Sequence, residues 1–242
     1  VTVSGIDDDS QAVSAEDDAT VAIVHAGDLL TVEKTASPAS VPEPGGLVTF
    51  TVHISNPSST DVVALDQLVD SVYQDVTTSG HDGVSATTCQ LPQTLAARGG
   101  HYTCHFVALV AGNFTESHEN MVVVSGQDDE SEPVIGVANT EVTISNTPSS
   151  LMVTETANPA QVPEDGGLVT STATVRNTSA VDSVTVDEVD NNLVGNVNTT
   201  CAPALPATLA PGATTVCTFS SFLKGPPGGT RATIVTAQGI DD

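Results

Sequence analysis

VPEPGGLVTF at residues 41–50 and VPEDGGLVTS at residues 162–171 are one phrase written twice. The offset between them holds in both directions. Upstream, TASPASV at 35–41 meets TANPAQV at 156–162, and VSGIDDD at 3–9 meets VSGQDDE at 124–130. Downstream, Asn56 falls on Asn177, Asp61 on Asp182, Asp66 on Asp187, Asp70 on Asn191 and Asp75 on Asn196. The second copy is then shorter by several residues before its first cysteine, after which LPQTLAARGGHYTCHF at 91–106 and LPATLAPGATTVCTF at 205–219 realign. A period this long is a whole domain and not one turn of a solenoid, so the chain reads as beads in series.

Within each bead the signal is short strands. From Val48 to Ile54 every second residue is apolar, and Val169 to Val175 repeats the pattern with Ser171 and Ala173 on the inner face. Tyr102, Cys104, Phe106, Ala108 and Val110 share one parity, as do Cys217 and Phe219. Gly-Gly, Pro and Asp-Gly punctuation at turn spacing completes the pattern of an all-β chain of tandem immunoglobulin-like β-sandwich domains. A composition rich in Val, Thr, Ser, Ala and Gly and poor in Lys, Arg, Met and aromatic residues favours the same class.

The formal charge of −25 sets five basic residues against thirty acidic ones, so a phosphate backbone is repelled and nucleic acid is excluded as a partner. No run of eighteen apolar residues exists, so no membrane insertion is expected in this segment, and an export signal or anchor is expected to lie outside it. The four cysteines form two pairs at corresponding places, Cys89 with Cys104 and Cys201 with Cys217. Neither pair is C-x-x-C and no second Cys or His cluster completes a zinc site, so local disulfides in an oxidising compartment are expected.

At LTVEKTASPASV (30–41), the GG-x-VTFTV strand with Asn56, VDSVYQD (69–75), the cysteine hairpin and VSG-x-DD, the chain resembles the Ig-like repeats of large bacterial surface proteins. These are catalogued as a conserved repeat domain of unknown function. The stretch VPEPGGLVTFTVHISNPSS (41–59) also resembles the start of a Calx-β repeat, another sandwich of adhesins and calcium exchangers. Either resemblance implies a secreted or cell-surface sandwich used for spacing or adhesion. The second copy departs from the first family with Glu155 where the pattern has Lys34, which tells against a Lys-to-Asn isopeptide crosslink at Lys34 of the kind some related surface repeats carry.

The G-x-D-D signal recurs at Gly5-Asp7-Asp8, Gly126-Asp128-Asp129 and Gly239-Asp241-Asp242. Clustered carboxylates repel unless a cation separates them, and calcium takes six to eight oxygens. Asp7, Asp8 and Asp9, with Glu16, Asp17 and Asp18 across a hairpin, form one candidate calcium set; Asp128, Asp129 and Glu130, with Glu132, form a second. The competing reading is a solvated acidic turn. Calcium is the one cofactor considered.

All six histidines (His25, His53, His81, His101, His105, His118) precede the second copy, which has none, and this argues against a histidine site intrinsic to the repeat. His101 and His105 share an outward strand face about 13 Å apart, too far to chelate one ion. No nucleophile elbow, HExxH, phosphate loop or dinucleotide fingerprint occurs, so the chain is expected to be non-catalytic. Asn113, Asn177 and Asn198 open N-glycosylation patterns at the frequency that abundant Thr and Ser produce by chance.

Residues 1–27 correspond to the closing strands of a preceding repeat, with 17–24 expected as a strand. The first repeat is expected at 28–146 and the second at 149–242, which lacks its own closing strand; 146–150 link them. The expected function is structural: part of an extracellular, cell-surface fibre, stalk or filament. Its partners are copies of itself head-to-tail or adjacent repeats of the same chain, and strand donation between molecules is one way to join them. The alternative is an adhesin module binding a host or glycan ligand through its loops.

Overall fold

The computed structural model describes residues 1–21 and 30–241. His25, residues 22–24 of the expected closing strand, residue 28 where the first repeat is expected to begin, and Asp242 of the third G-x-D-D lie outside the described residues.

The chain is all-β, with no α-helix among the described residues. It opens with a hairpin, β1 (Thr2–Ile6) and β2 (Ala12–Glu16). Ten strands follow: β3 (Thr31–Ser37), β4 (Ser40–Pro42), β5 (Gly45–Ser55), β6 (Val63–Asp70), β7 (Gln74–Asp75), β8 (Val84–Thr87), β9 (Gln93–Leu95), β10 (His101–Ala111), β11 (Ser117–Gln127) and β12 (Pro133–Ser145). Eight more complete the order: β13 (Leu151–Asn158), β14 (Gly167–Asn177), β15 (Val184–Asn191), β16 (Gly195–Asn196), β17 (Cys201–Ala202), β18 (Ala207–Leu209), β19 (Thr214–Leu223) and β20 (Val235–Ile240).

In the first half, β3-β5-β10-β8 form one sheet and β4-β12-β11-β6-β7 another, with β9 also on β6. Both sheets feed one core, because strict alternation turns Val48, Phe50, Val52 and Ile54 of β5 and Cys104, Phe106, Ala108 and Val110 of β10 toward Val63, Leu65, Leu68, Val122 and Val124. The second half repeats this with β13-β14-β19-β17 and with β16, β18 and β20 on β15, around a separate and smaller core of Ala173, Val175, Val184, Val186, Val189, Cys217 and Phe219. The copies agree in atomic detail. Asn56 Nδ2 donates to the Asp61 and Leu95 carbonyls, and Asn177 Nδ2 to those of Asp182 and Leu209.

β1–β2 has the register of β11–β12: Ile6 faces Ala12 and Gly5 faces Val13, as Gln127 faces Pro133 and Gly126 faces Val134. What differs is its surroundings. Val3 is 65% exposed where its counterpart Val124 is 0%, and Val13 is 52% exposed where Val134 is 2%. A Cβ on Gly126 would lie 2.1 Å from Ala64 O of the neighbouring strand, and one on Gly239 2.4 Å from Thr185 O. Such close approach of backbone requires glycine. Gly5 meets only its own hairpin partner, Val13. The expected strand at 17–24 is corrected for its described part: β2 ends at Glu16, opposite Thr2, Asp17 exchanges backbone hydrogen bonds with Val1, and residues 17–21 carry no strand.

No helix among the described residues is long and apolar enough to cross a membrane. With two disulfides, that is compatible with an extracellular protein.

Candidate functional site

Lys34 stands on β3 at an inward parity, between the half-buried Val32 and Ala36. Its side chain is fully buried, and Nζ lies 2.5 Å from Asp70 Oδ2, whose side chain is equally buried. The ammonium sits 5.0 Å from the Phe50 ring centroid and 5.5 Å from that of Phe106, two rings stacked at 5.1 Å. Burial pulls the Lys34 pKa down, against the hydrogen bond and charge of Asp70, which hold it up.

Asp70 ends β6 where the chain turns back into β7. Its Oδ1 accepts the Val72 and Tyr73 amides at 2.9 and 3.0 Å and the Asn120 Nδ2 at 3.0 Å. Asn120 comes from β11, at an inward parity two residues before Val122. Its carboxamide oxygen is buried with no hydrogen-bond partner among the described residues. His118 Nε2 closes the cluster, 3.4 Å from Asn120 Nδ2 and 3.2 Å from Tyr73 Oη, which donates to the Leu109 carbonyl. Burial lowers the His118 pKa, and burial followed by the Asp70 charge pushes the Tyr73 phenol up to about 12. One carboxylate thus holds an amine on one oxygen and a carboxamide on the other, in an apolar cage between two sheets.

The second half has none of this. Its counterparts are Glu155 for Lys34, Asn191 for Asp70 and Ser171 for Phe50. Thr233 takes the place of Asn120, since Val235 faces Asn191 as Val122 faces Asp70. The buried pair is therefore no requirement of the architecture.

Of the candidate metal residues, Asp7 and Asp128 serve their own turns. Asp7 Oδ1 accepts the Asp9 and Gln11 amides, and Asp128 Oδ1 accepts those of Glu130 and Glu132. The first calcium set is corrected: Asp17 and Asp18 follow Glu16 at the open end of the hairpin, the far end from Asp7, Asp8 and Asp9, so the two groups share no ion. In the second set, Asp129 and Glu130 meet Asp61, which the sequence reading missed; their oxygens lie within 4.8 Å of one another. Asp129 Oδ1 also accepts the Val62 amide. Partial desolvation first, then the charges of Asp129, Asp61 and Asp128, raise the Glu130 pKa. Three carboxylates supply at most part of a calcium shell.

The cysteines pair as expected, Cys89 with Cys104 and Cys201 with Cys217. His101 and His105 point outward from β10.

No protein-family model matches the chain, and no curated protein does. Among solved structures, it is similar to the secreted serine protease VesC from Vibrio cholerae, at 10% identity over 84% of this chain and 48% of that one, with a TM-score of 0.24. The chain thus spans about half the length of that structure. The expectation of a non-catalytic chain is corrected on this finding, because the matched protein is titled a protease. At that TM-score the likeness carries neither fold nor activity across to this chain.

Proposed function

We propose that the chain is a stretch of a serial array of immunoglobulin-like sandwich repeats outside the cell, and that its work is mechanical. Cystine-stapled sandwiches in series hold other modules away from a surface or build a fibre. The observation that supports this reading most is the β1–β2 hairpin. It has the register, turn and glycine of β11–β12, but its core-facing valines are bare.

The second half offers the complementary feature. In the first half β12 packs beside β11 and against β3. Between the corresponding strands β20 and β13 the described residues leave a groove lined by Ser149, Leu151, Ala237, Gln238 and Gly239. An array closes such a groove with a strand of the β12 type, supplied by the same chain or by the next molecule.

Electron microscopy of the native source with an antibody to this segment tests the reading. Label along elongated fibres or stalks supports it, and label only on dispersed compact particles overturns it.

A further inference from the structure

The outward face of the β3-β5-β10 sheet gathers three metal-binding side chains at one corner. β5 runs antiparallel to both neighbours, with Glu33 of β3 opposite His53 on one side and Thr103 of β10 opposite it on the other. His101 lies diagonal to His53, two residues before Thr103 on the same face. The two ring centroids stand 5.6 Å apart with their planes tilted by 39°. Glu33 and His101 are exposed and His53 is half-buried.

Two imidazoles that ligate one tetrahedral zinc ion at about 2.0–2.1 Å hold their ring centroids about 5 Å apart. His53 and His101 therefore already stand close to chelating distance. His53 is oriented as well, since its Nδ1 lies 2.7 Å from Thr103 Oγ1. With the Nδ1 proton donated to that hydroxyl, Nε2 keeps its lone pair for a metal, the way outer partners fix the tautomer of ligating histidines. Glu33, across the strand pair from His53, supplies an oxygen and a negative charge on the same face.

We propose that His53, His101 and Glu33 form a binding site for a divalent transition cation of the zinc type, with water in the remaining position. Imidazole selects such ions over calcium, which prefers oxygen alone. His101 opens β10, and Ser55 opposite it closes β5, so the ion ties three strands together at a fraying end of their sheet. The counterparts in the second half are Thr154, Thr174 and Thr214, which confines the site to the first half. The partner of His101 sits on the next strand, where spacing along the chain carries no signal, whereas His105 is four residues away on the same strand.

Calorimetric titration of the full, untagged, chelator-stripped chain with zinc chloride tests the site. One zinc should bind per chain, undiminished by excess calcium. Thr103→Val removes the outer partner of His53 and should weaken binding about tenfold. His53→Gln and His101→Gln should each weaken it further, Glu33→Gln should weaken it too, and His105→Gln should bind as the parent does. All these side chains lie on the wet face of the sheet, and circular dichroism should show the strands intact in each variant. Zinc should raise the melting transition of the first half and leave that of the second in place. Binding that survives His53→Gln with His101→Gln, or that calcium abolishes, would place the ion on other carboxylates and overturn the proposal, as would a parent that binds no zinc.

Discussion

Asp70 and Asn191 close the same turn with the same oxygen and differ in what the rest of the side chain holds. Oδ1 of Asp70 accepts the Val72 and Tyr73 amides, and Oδ1 of Asn191 accepts those of Leu193 and Val194 at 2.9 and 3.3 Å. The remaining atom is Oδ2 on Lys34 in one case, and Nδ2 on the Ile234 carbonyl at 3.4 Å in the other. The turn is satisfied by either residue, so the carboxylate is there for Lys34.

That separation makes Asp70→Asn a fold-preserving substitution that strands an amine. Removing one partner of a buried pair costs about 3–5 kcal/mol. The single variant should keep its strand signal by circular dichroism and melt well below the parent. The double variant Lys34→Met with Asp70→Asn should melt above Asp70→Asn. A double variant that melts no higher would show that the buried ammonium carries no penalty.

Asn56 and Asn177 make the same prediction in two places. Each side chain is fully buried, donates to carbonyls (Asp61, Leu95 and Ala96 for Asn56; Asp182 and Leu209 for Asn177), and accepts the amide two residues on, Ser58 or Ser179. Alanine at either site leaves those carbonyls unmet inside the protein, at about 1–3 kcal/mol for each buried orphan. Because the two cores are separate, calorimetry should show Asn177→Ala lowering a transition that Asn56→Ala leaves in place. One merged transition shifted alike by both would contradict separate cores.

These asparagines were legible as a repeat, and the alternation of Val48 to Ile54 was legible as a strand, because both signals are local. Lys34 and Asn120 also sat in the open, as polar residues at inward parities of strands whose other inward positions, His118 aside, are apolar or small. Asp70 was harder. In β6 the inward sequence runs Val63, Leu65, then Leu68 and Asp70, since a register shift opposite Ser125 and Gly126 breaks the period of two. A bulge depends on the neighbouring strand, and parity counted along β6 alone puts Asp70 on the wrong face. Asp61 joined the acidic group for a similar reason: the Val62 amide docks on Asp129, a contact between segments far apart in the chain. Asp17 and Asp18 failed as partners of Asp7 because a hairpin separates its two ends by its own length.

The cystines should matter unequally. Closing a loop of about 15 residues adds about 3 kcal/mol in the chain-entropy model. In the second half that bond ties β17 to β19 directly, with Cys201 opposite Cys217, around a small core. Replacing Cys201 and Cys217 together by alanine should lower the second transition by more than replacing Cys89 and Cys104 lowers the first, where the larger core and the Lys34–Asp70 ion pair persist. Equal shifts in differential scanning calorimetry would refute this ranking.

Glu130 gives a pH dependence of known sign. Its folded pKa is raised, so the native state binds a proton more readily than the unfolded chain and is favoured at low pH. That favour fades as pH rises through the folded value, when Glu130 ionises beside Asp129 and Asp61. Glu130→Gln removes the repulsion, and its melting midpoint should exceed the parent's at neutral pH and converge with it below the ordinary carboxylate range. A parent that loses its midpoint on adding a chelator at neutral pH would show instead that a cation already neutralises the cluster.

Val3 and Val124 are the same residue of the same repeat, placed at the same register of the same hairpin, and only one of them has a core to face. Aspartate at Val124 or Val134 buries a charge without a partner and should prevent the first half from folding or lower its midpoint steeply. Aspartate at Val3 or Val13 should leave the melting of the isolated chain unchanged, because those side chains touch water. In the serial array proposed above the outcome should reverse for Val3 and Val13: once a neighbouring repeat covers that face, the substitution becomes a core defect, read as shortened fibres or failed export. Insensitivity of the assembled material to Val13→Asp would mean that the bare face of β1–β2 is never covered, and the serial arrangement would have to be abandoned.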